Sequence, residues 1–557
     1  MRPEGATSHR PSGCLSPVLV VACHWAPTHI REKKRGRTII GVLKRTEKPP
    51  YCRNQRSRNN RKTGFMESSS SEGRWINPLA PVELFFEGGH QQGTFMVCYH
   101  LILNTAQPLS EEKIQQTLLH LCRKVLSLRL CIQPRNGVQW FREITKPQLD
   151  FQEIAGGDVQ SVIDGLRQYR YDVTSGPLWC SRLLYDVTTD ATEMDIPEGL
   201  EYMTHLFLGF HHGLHDATSN IKVCGWFVDI LNDVIAGVPV DDDIQLGNYA
   251  SHEQTDRLVA EKKKILEVNS KLKSELVYET VAKKSGLSLL RMINPVALGS
   301  EKNGKALHLK HMLDRPTTSR FLNKCRAEGV TVHAAFTALA NVALLDIVRE
   351  KGILIDDCIM TSSHVVNNRR YWRDPIPDAM GCHVCFPLLD LQTLTPQNAS
   401  KNFWNYARSV HIDLKKQLDS GKPLLQTALD NSSPNQDFSD YYQMTATGLS
   451  NYSTSNMGDV TPMISQEREN VRLTYFYRTI SVNHTSNTLS HIMHTYRGYF
   501  IYVMDYNTGT VQTKTAERLC QKIFTHLEKV LKDKKIIPPK VPLPRSHTIF
   551  TDVEEVV

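Results

Sequence analysis

Six consecutive residues hold the densest chemistry in this chain: His211-His212-Gly213-Leu214-His215-Asp216. An imidazole is largely neutral near pH 7 and can accept a proton there. A nearby carboxylate can fix the orientation of the ring or of the loop that carries it. The group directly follows an apolar run, Met203–Phe210, so titratable side chains gather at the end of an expected buried strand. In an extended backbone His211 and His212 point to opposite faces. One can face a reacting group while the other is held in the core, and Asp216, four residues after the second histidine, is near enough to stabilise the turn.

Two other readings of these residue types are open. Satisfied structural histidines would need only hydrogen-bond partners. A zinc site could draw on His211, His212, His215 and Asp216, but Gly213 disfavours the helix that would put His211 and His215 on one face, and no second ligand cluster is evident. Cys382-His383-Val384-Cys385 is a lone C-x-x-C, expected in a strand before Phe386-Pro387 and read as two buried reduced thiols.

Several elements must position the histidine pair. Ser110 caps a helix with Ile114, Leu118, Leu121 and Val125 on one face. Leu128–Ile132 and Val138–Phe141 flank Asn136-Gly137, a hairpin signal. After the histidines, Thr218 or Ser219 is expected to cap a helix that ends at Gly237. Residues 251–290, rich in Lys and Glu, are expected to be a solvated helical connector. Val332–Ala343 forms an apolar helix, Cys358–Val366 a strand ending at Asn367-Asn368-Arg369-Arg370, and Tyr499–Tyr506 a strand before a last helix carrying Leu519, Ile523, Leu527 and Val530. Thr395–Pro462 is polar, loop-rich and unassigned. Strands alternating with helices in both halves predict an α/β (α+β) build of two similar lobes.

The chain has 557 residues, 40% hydrophobic and 22% charged, with a formal net charge of +8. Residues 1–65 carry 15 Lys and Arg against three acids, which leaves 51 against 55 for the remainder. The folded body is therefore slightly acidic, and the basic balance is no argument for nucleic-acid binding. Met66 is a candidate natural start. No stretch approaches the ~18 apolar residues that a membrane helix needs. Thirteen scattered cysteines suit reduced thiols in a cytoplasmic setting.

His211-His212-x-x-x-Asp216 after a hydrophobic strand resembles the HHxxxD signature of the CoA-dependent acyltransferase superfamily, which includes condensation domains, alcohol acetyltransferases and polyketide-associated acyltransferases. Other segments are similar in order: Arg74–Glu83 to the family's opening, Leu128-Arg129-Leu130 to its first-lobe hairpin, and Val330–Ala335 to a second-lobe helix start. Asn367-Asn368-Arg369 with Met380-Gly381 is similar to its N-x-R…G block, and Ser455-Asn456-Met457-Gly458 to its S-N-x-G segment. The resemblance covers about residues 74–535.

It implies two chloramphenicol-acetyltransferase-like lobes in a V-shaped pseudo-dimer with a tunnel at the junction. The expected divisions are a basic disordered extension (1–72), an N-terminal lobe (73–250), a charged helical connector (251–300), a C-terminal lobe (301–540) and a tail (541–557). His212 would be the general base, His211 structural, and Asp216 a structural partner of Arg369, with Arg370 as substitute. Asn456 and Gly458 would assist the oxyanion or donor. The implied activity is a stand-alone transfer from acyl-CoA, a co-substrate with no bound cofactor and no metal, to a small-molecule alcohol or amine, by a cytoplasmic monomer. A catalytically silent two-lobed binding protein and a metallohydrolase are the alternatives. Ala217 stands where the family often has Gly, and His215 is an extra histidine that could compete as base.

Overall fold

The computed structural model describes residues 73–185, 195–285, 288–294, 303–431, 450–482 and 489–532; the expected extension over 1–72 and tail over 541–557 lie outside them. The first half runs β1 (Trp75–Pro78), α1 (Pro81–Gln91), β2 (Met96–Thr105), α2 (Glu111–Lys124), β3 (Leu130–Arg135), β4 (Val138–Glu143), β5 (Phe151–Ile154), α3 (Val159–Arg167), β6 (Trp179–Leu184), β7 (Tyr202–His211) and α4 (Ala217–Ala236). There follow β8 (Asn248–Tyr249), α5 (Glu253–Val268), α6 (Ser270–Ser285), α7 (Leu289–Ile293), β9 (Ala306–Leu313), α8 (Arg315–Ala327) and α9 (Val332–Glu350). The chain continues through β10 (Cys358–His364), β11 (Ala379–Met380), β12 (Leu389–Thr395), α10 (Phe403–Asp419) and α11 (Lys422–Asp430). It closes with β13 (Tyr452–Asp459), β14 (Val471–Ile480), β15 (Leu489–Tyr496), β16 (Tyr499–Asn507) and α12 (Thr513–Lys532).

Two large sheets organise two main hydrophobic clusters, and the first also takes in Ile492, Tyr496, Ile501 and Val503 from the second sheet. The first lobe is built on the order β14-β2-β7-β6-β5 and the second on β12-β10-β13-β15-β16-β9. In the first, β2 is buried along its whole length and β7 from Thr204 onward, as expected of strands covered on both faces. Met96 pairs with His211 on one side of β7, and Trp179 with Phe210 on the other. A one-residue slip would exchange the faces of His211 and His212. Burying Leu206, Phe207, Leu208 and Phe210 contributes roughly 1.5–3 kcal/mol each towards holding the register.

Strand β14 departs from the simple division into halves. It lies late in the sequence yet pairs antiparallel with β2, setting Tyr477 opposite His100 and Arg478 opposite Tyr99. The first-lobe sheet is thus completed by a strand from the segment assigned to the second lobe. Strands β8 and β11 add a short parallel pair between the two halves.

Four further expectations change. Asp216, not Thr218 or Ser219, caps α4, its Oδ1 accepting from the Ser219 N–H at 2.9 Å. The segment 251–290 is not merely solvated: Val259, Leu266 and Leu276 are buried against Leu424, Leu425 and Ala428 of α11, beneath charged outer faces. Cys382–Cys385 is not a strand but a loop with one bridge, Val384 to Asn367, because Gly381 (φ +129°) turns the chain beside it. The stretch from Thr395 contains α10, α11 and β13, whose apolar faces are interrupted by polar positions; residues 432–449 lie outside the described set.

Helix α9 is long and apolar enough, by length and composition, to cross a membrane, which polar Thr337 and Asn341 obscured in the sequence. Here 78% of its apolar window is buried inside the second core, against α10 and α12. Asn136 and Gly137 both take positive φ, as the hairpin turn requires, and Gly237 ends α4 in the left-handed region.

Candidate active site

The site begins where β7 runs out. His211 turns to one side and is fully engaged: its Nε2 lies 2.8 Å from Oε2 of Glu87, and its Nδ1 accepts from the Gly213 N–H at 3.1 Å. That backbone donor fixes the tautomer, leaving the ring proton on Nε2 to donate to Glu87. Burial lowers the His211 pKa while Glu87 works against the shift. Burial would raise the Glu87 pKa, but His211 and His90 draw it down to about 2.

Glu87, His90 and His211 lie close enough to hold a metal ion by distance alone. Their hydrogen bonds account for them differently. His90 Nε2 accepts from the Tyr171 N–H at 3.1 Å, so its proton sits on Nδ1, 3.6 Å from Glu87. Both nitrogens facing the carboxylate therefore carry protons; His211 donates to it, and His90 lies beside it at 3.6 Å without a hydrogen bond. Cys382 and Cys385 make no better ligand pair, since burial pushes the Cys385 thiol up to about 12 and that of Cys382 well above its usual range.

His212 turns to the other face. Its ring stacks on Phe86 of α1, with centroids 3.8 Å apart and planes 5° from parallel. Nε2 lies 3.4 Å from a guanidinium nitrogen of Arg478 on β14. Among the described residues Nδ1 has no hydrogen-bond partner, and a guanidinium, which can only donate, faces Nε2, so the ring proton sits on Nδ1. A proton on Nδ1 leaves Nε2 as the basic atom. Burial, and after it Arg478, lowers the His212 pKa to about 3, so the ring is neutral at physiological pH.

Asp216 links the lobes. Its Oδ2 accepts from Arg369 Nη1 at 2.5 Å and from the His383 N–H at 2.9 Å, while Oδ1 caps α4. Burial opposes the charge, but Arg369, His383 and the Ser219 N–H hold the carboxyl well below the usual carboxylate range. Arg369 also donates to the carbonyls of Ala379 and Gly381 and to Oγ of Ser219, and Asn367 Oδ1 accepts from its backbone N–H. A Cβ on Gly381 would lie 2.9 Å from the His383 ring and 3.3 Å from the Ala250 carbonyl, so glycine is needed both for space and for its positive φ.

The remaining sequence-derived residues separate. Arg370 is exposed and lies over the Tyr371 ring. His215 is fully buried with both nitrogens engaged, Nδ1 at 3.1 Å from Asn220 Oδ1 and Nε2 at 2.7 Å from Ser127 Oγ, which leaves neither free to act as a base. Asn456 accepts from the Gly458 N–H at 2.8 Å, and among the described residues neither contacts His212.

Sequence reasoning missed Phe86, Glu87, His383 and Arg478. A signal existed for Glu87: Glu83 and Glu87 are four apart on the apolar face of α1, where a carboxylate requires partners. Glu83 meets His252 at 3.1 Å as Glu87 meets His211. Nothing local marked Arg478, which arrives through a pairing between strands far apart in the sequence.

Solved structures with this architecture include a trichothecene 15-O-acetyltransferase from Fusarium sporotrichioides, 13% identical, with a TM-score of 0.58 over 82% of this chain and 98% of that one. The epimerization domain from the third module of tyrocidine synthetase B is 12% identical, with a TM-score of 0.57 over 84% and 98%. Polyketide synthase associated protein 5 from Mycobacterium tuberculosis is 12% identical, with a TM-score of 0.55 over 83% and 99%. No family model matches the sequence. No curated protein matches it either.

Proposed function

We propose, from the two-lobed fold the chain shares with condensation domains and acetyltransferases and from the site it carries, that the protein is a stand-alone acyltransferase that moves an acyl group from acyl-CoA to a hydroxyl or amine of a small molecule. The observation that carries this reading is His212: a neutral imidazole with Nε2 as its basic atom, stacked on Phe86, on a turn clamped to the second lobe by Asp216 and Arg369.

In the proposed reaction His212 Nε2 takes the proton from the acceptor as its oxygen or nitrogen attacks the thioester carbonyl. The tetrahedral oxyanion collapses, the C–S bond breaks, and the CoA thiolate takes the proton back from the imidazolium. No acyl-enzyme forms. Acyl-CoA is a co-substrate, no bound cofactor is required, and the protein acts as a cytoplasmic monomer. His211, Glu87 and Asp216 position the turn and touch no substrate. Asn456 and Gly458 face their own loop and contribute only if the acyl donor reaches them.

One observation favours the competing reading, a catalytically silent two-lobed binding protein: Arg478 lies against the atom that must act as base. Acceptor-dependent release of CoA thiol, measured with acetyl-, octanoyl- and palmitoyl-CoA against a panel of alcohols and amines, separates the two. Enzyme-dependent thiol release supports transfer, and binding of both substrates without release supports the silent protein. Hydrolytic chemistry on zinc has no such support, because the Glu87-His90-His211 cluster presents protons where a metal would need lone pairs.

A further inference from the structure

Among the described residues, Arg478 is a buried cation with no salt-bridge partner. It is 5% exposed, and its Nε has no hydrogen-bond partner. Among the described residues, its side-chain hydrogen bond runs from Nη2 to His212 Nε2, at 3.4 Å. The nearby carboxylates among the described residues are held by other partners. Asp505, the acid of its own neighbourhood, lies 2.9 Å from Arg167 and also accepts from the Ile480 N–H and the Thr479 hydroxyl. Asp216 belongs to Arg369, and Glu87 to His211 and His90. Tyr99, its register partner on β2, is neutral, because burial raises its pKa well above the usual value.

A charge removed from water costs several kcal/mol unless it is paired, so folded proteins seldom leave one so. Proteins violate that rule where a ligand completes the pair. The guanidinium stands 3.4 Å from the basic nitrogen of His212, the point to which the proposed reaction brings its acceptor. A guanidinium presents a fork that matches a carboxylate in two parallel hydrogen bonds, which an ammonium cannot do.

We propose that Arg478 receives a carboxylate carried by one of the two substrates, so that the site acts on an anionic acyl group or an anionic acceptor. This deepens the acyl-transfer reading and rests on it. Pairing Arg478 with that carboxylate also draws its charge away from His212 Nε2, and the base becomes stronger when the correct substrate is bound. An uncharged analogue leaves the guanidinium uncompensated and the base weak.

The test compares charged and neutral members of matched pairs in wild type, Arg478→Gln and Arg478→Lys. In one arm the acceptor is a hydroxy or amino acid or its methyl ester, with acetyl-CoA as donor. In the other the donor is succinyl-CoA or butyryl-CoA, with a neutral alcohol as acceptor. In one of the two arms wild type should favour the charged member in kcat/KM by about 30-fold or more, the equivalent of a buried charge pair. That preference should collapse towards one in Arg478→Gln and survive in part in Arg478→Lys, with melting temperatures confirming that both variants fold. Equal use of charged and neutral members in both arms overturns the proposal. So does a preference that persists in Arg478→Gln, or a kcat loss in that variant equal for charged and neutral substrates, which would assign Arg478 to the oxyanion. The same pairs are titrated by calorimetry. Carboxylate binding that is lost in Arg478→Gln, with no turnover of any pair, leaves the anion site standing and removes acyl transfer. Binding that does not distinguish the pairs removes the site.

Discussion

Asp216 and Arg369 meet 2.5 Å apart across the junction of the two lobes, one at the N-terminus of α4 and the other in the turn after β10, with the carboxylate 3% and the guanidinium 15% exposed. The pair joins residues 153 positions apart and ties the histidine turn of one lobe to the Gly381–His383 loop of the other.

Breaking that pair from either side leaves a buried charge. Arg369→Ala should destabilise the protein by roughly 3–5 kcal/mol, and Asp216→Asn by a similar order, because each strands its partner away from water. Activity should fall together with melting temperature in both. Activity lost at an unchanged melting temperature, read by calorimetry beside the thiol assay, would show that these residues act on substrate and not on the fold.

Phe86 should govern how well His212 is aimed. Phe86→Leu keeps an apolar side chain at the position but removes the flat surface under the imidazole. Since a misplacement of about 1 Å can cost on the order of 10²-fold, kcat should drop by about tenfold or more with KM nearly unchanged. A variant with wild-type kcat would mean that the stack does not position the ring.

How far the sequence disclosed this site follows from how local each signal is. His211, His212, Asp216 and the strand before them could be read because adjacent residues and strand alternation place them without tertiary knowledge. Arg369 was legible only through resemblance to a motif whose partner lies 153 residues earlier. Phe86 stood in an apolar helix where it passes for core, and Glu87 was marked only by its spacing from Glu83 on the apolar face. Arg478 was invisible because β14 joins the first-lobe sheet through a pairing with β2, which lies far earlier in the sequence. Helices α10 and α11 escaped for another reason: their buried faces are interrupted by polar residues that hydrogen-bond inside the core, as Thr427 does to the Phe386 carbonyl.

The buried histidines set the acid limit of the fold. Burial lowers the pKa of His212, His491 and His494 to about 3 and that of His215 to about 4, all below the unfolded value. Between about 6.5 and these values the unfolded chain binds protons that the native state refuses, so stability falls as pH falls, by up to about 1.4 kcal/mol per pH unit for each group. The melting temperature should therefore drop between pH 7 and pH 5. His494→Leu, which removes one such group, should make the drop shallower. A melting temperature constant over that range contradicts the neutral, buried assignment.

The proposed reaction depends on His212 as its base. Replacing it with Ala removes the proton acceptor and leaves His211, Glu87 and the Asp216–Arg369 pair in place. Acceptor-dependent CoA release by His212→Ala, measured beside wild type with circular dichroism to confirm an unchanged fold, should fall by about 10²–10⁴-fold. A folded His212→Ala protein that transfers at the wild-type rate would contradict the account.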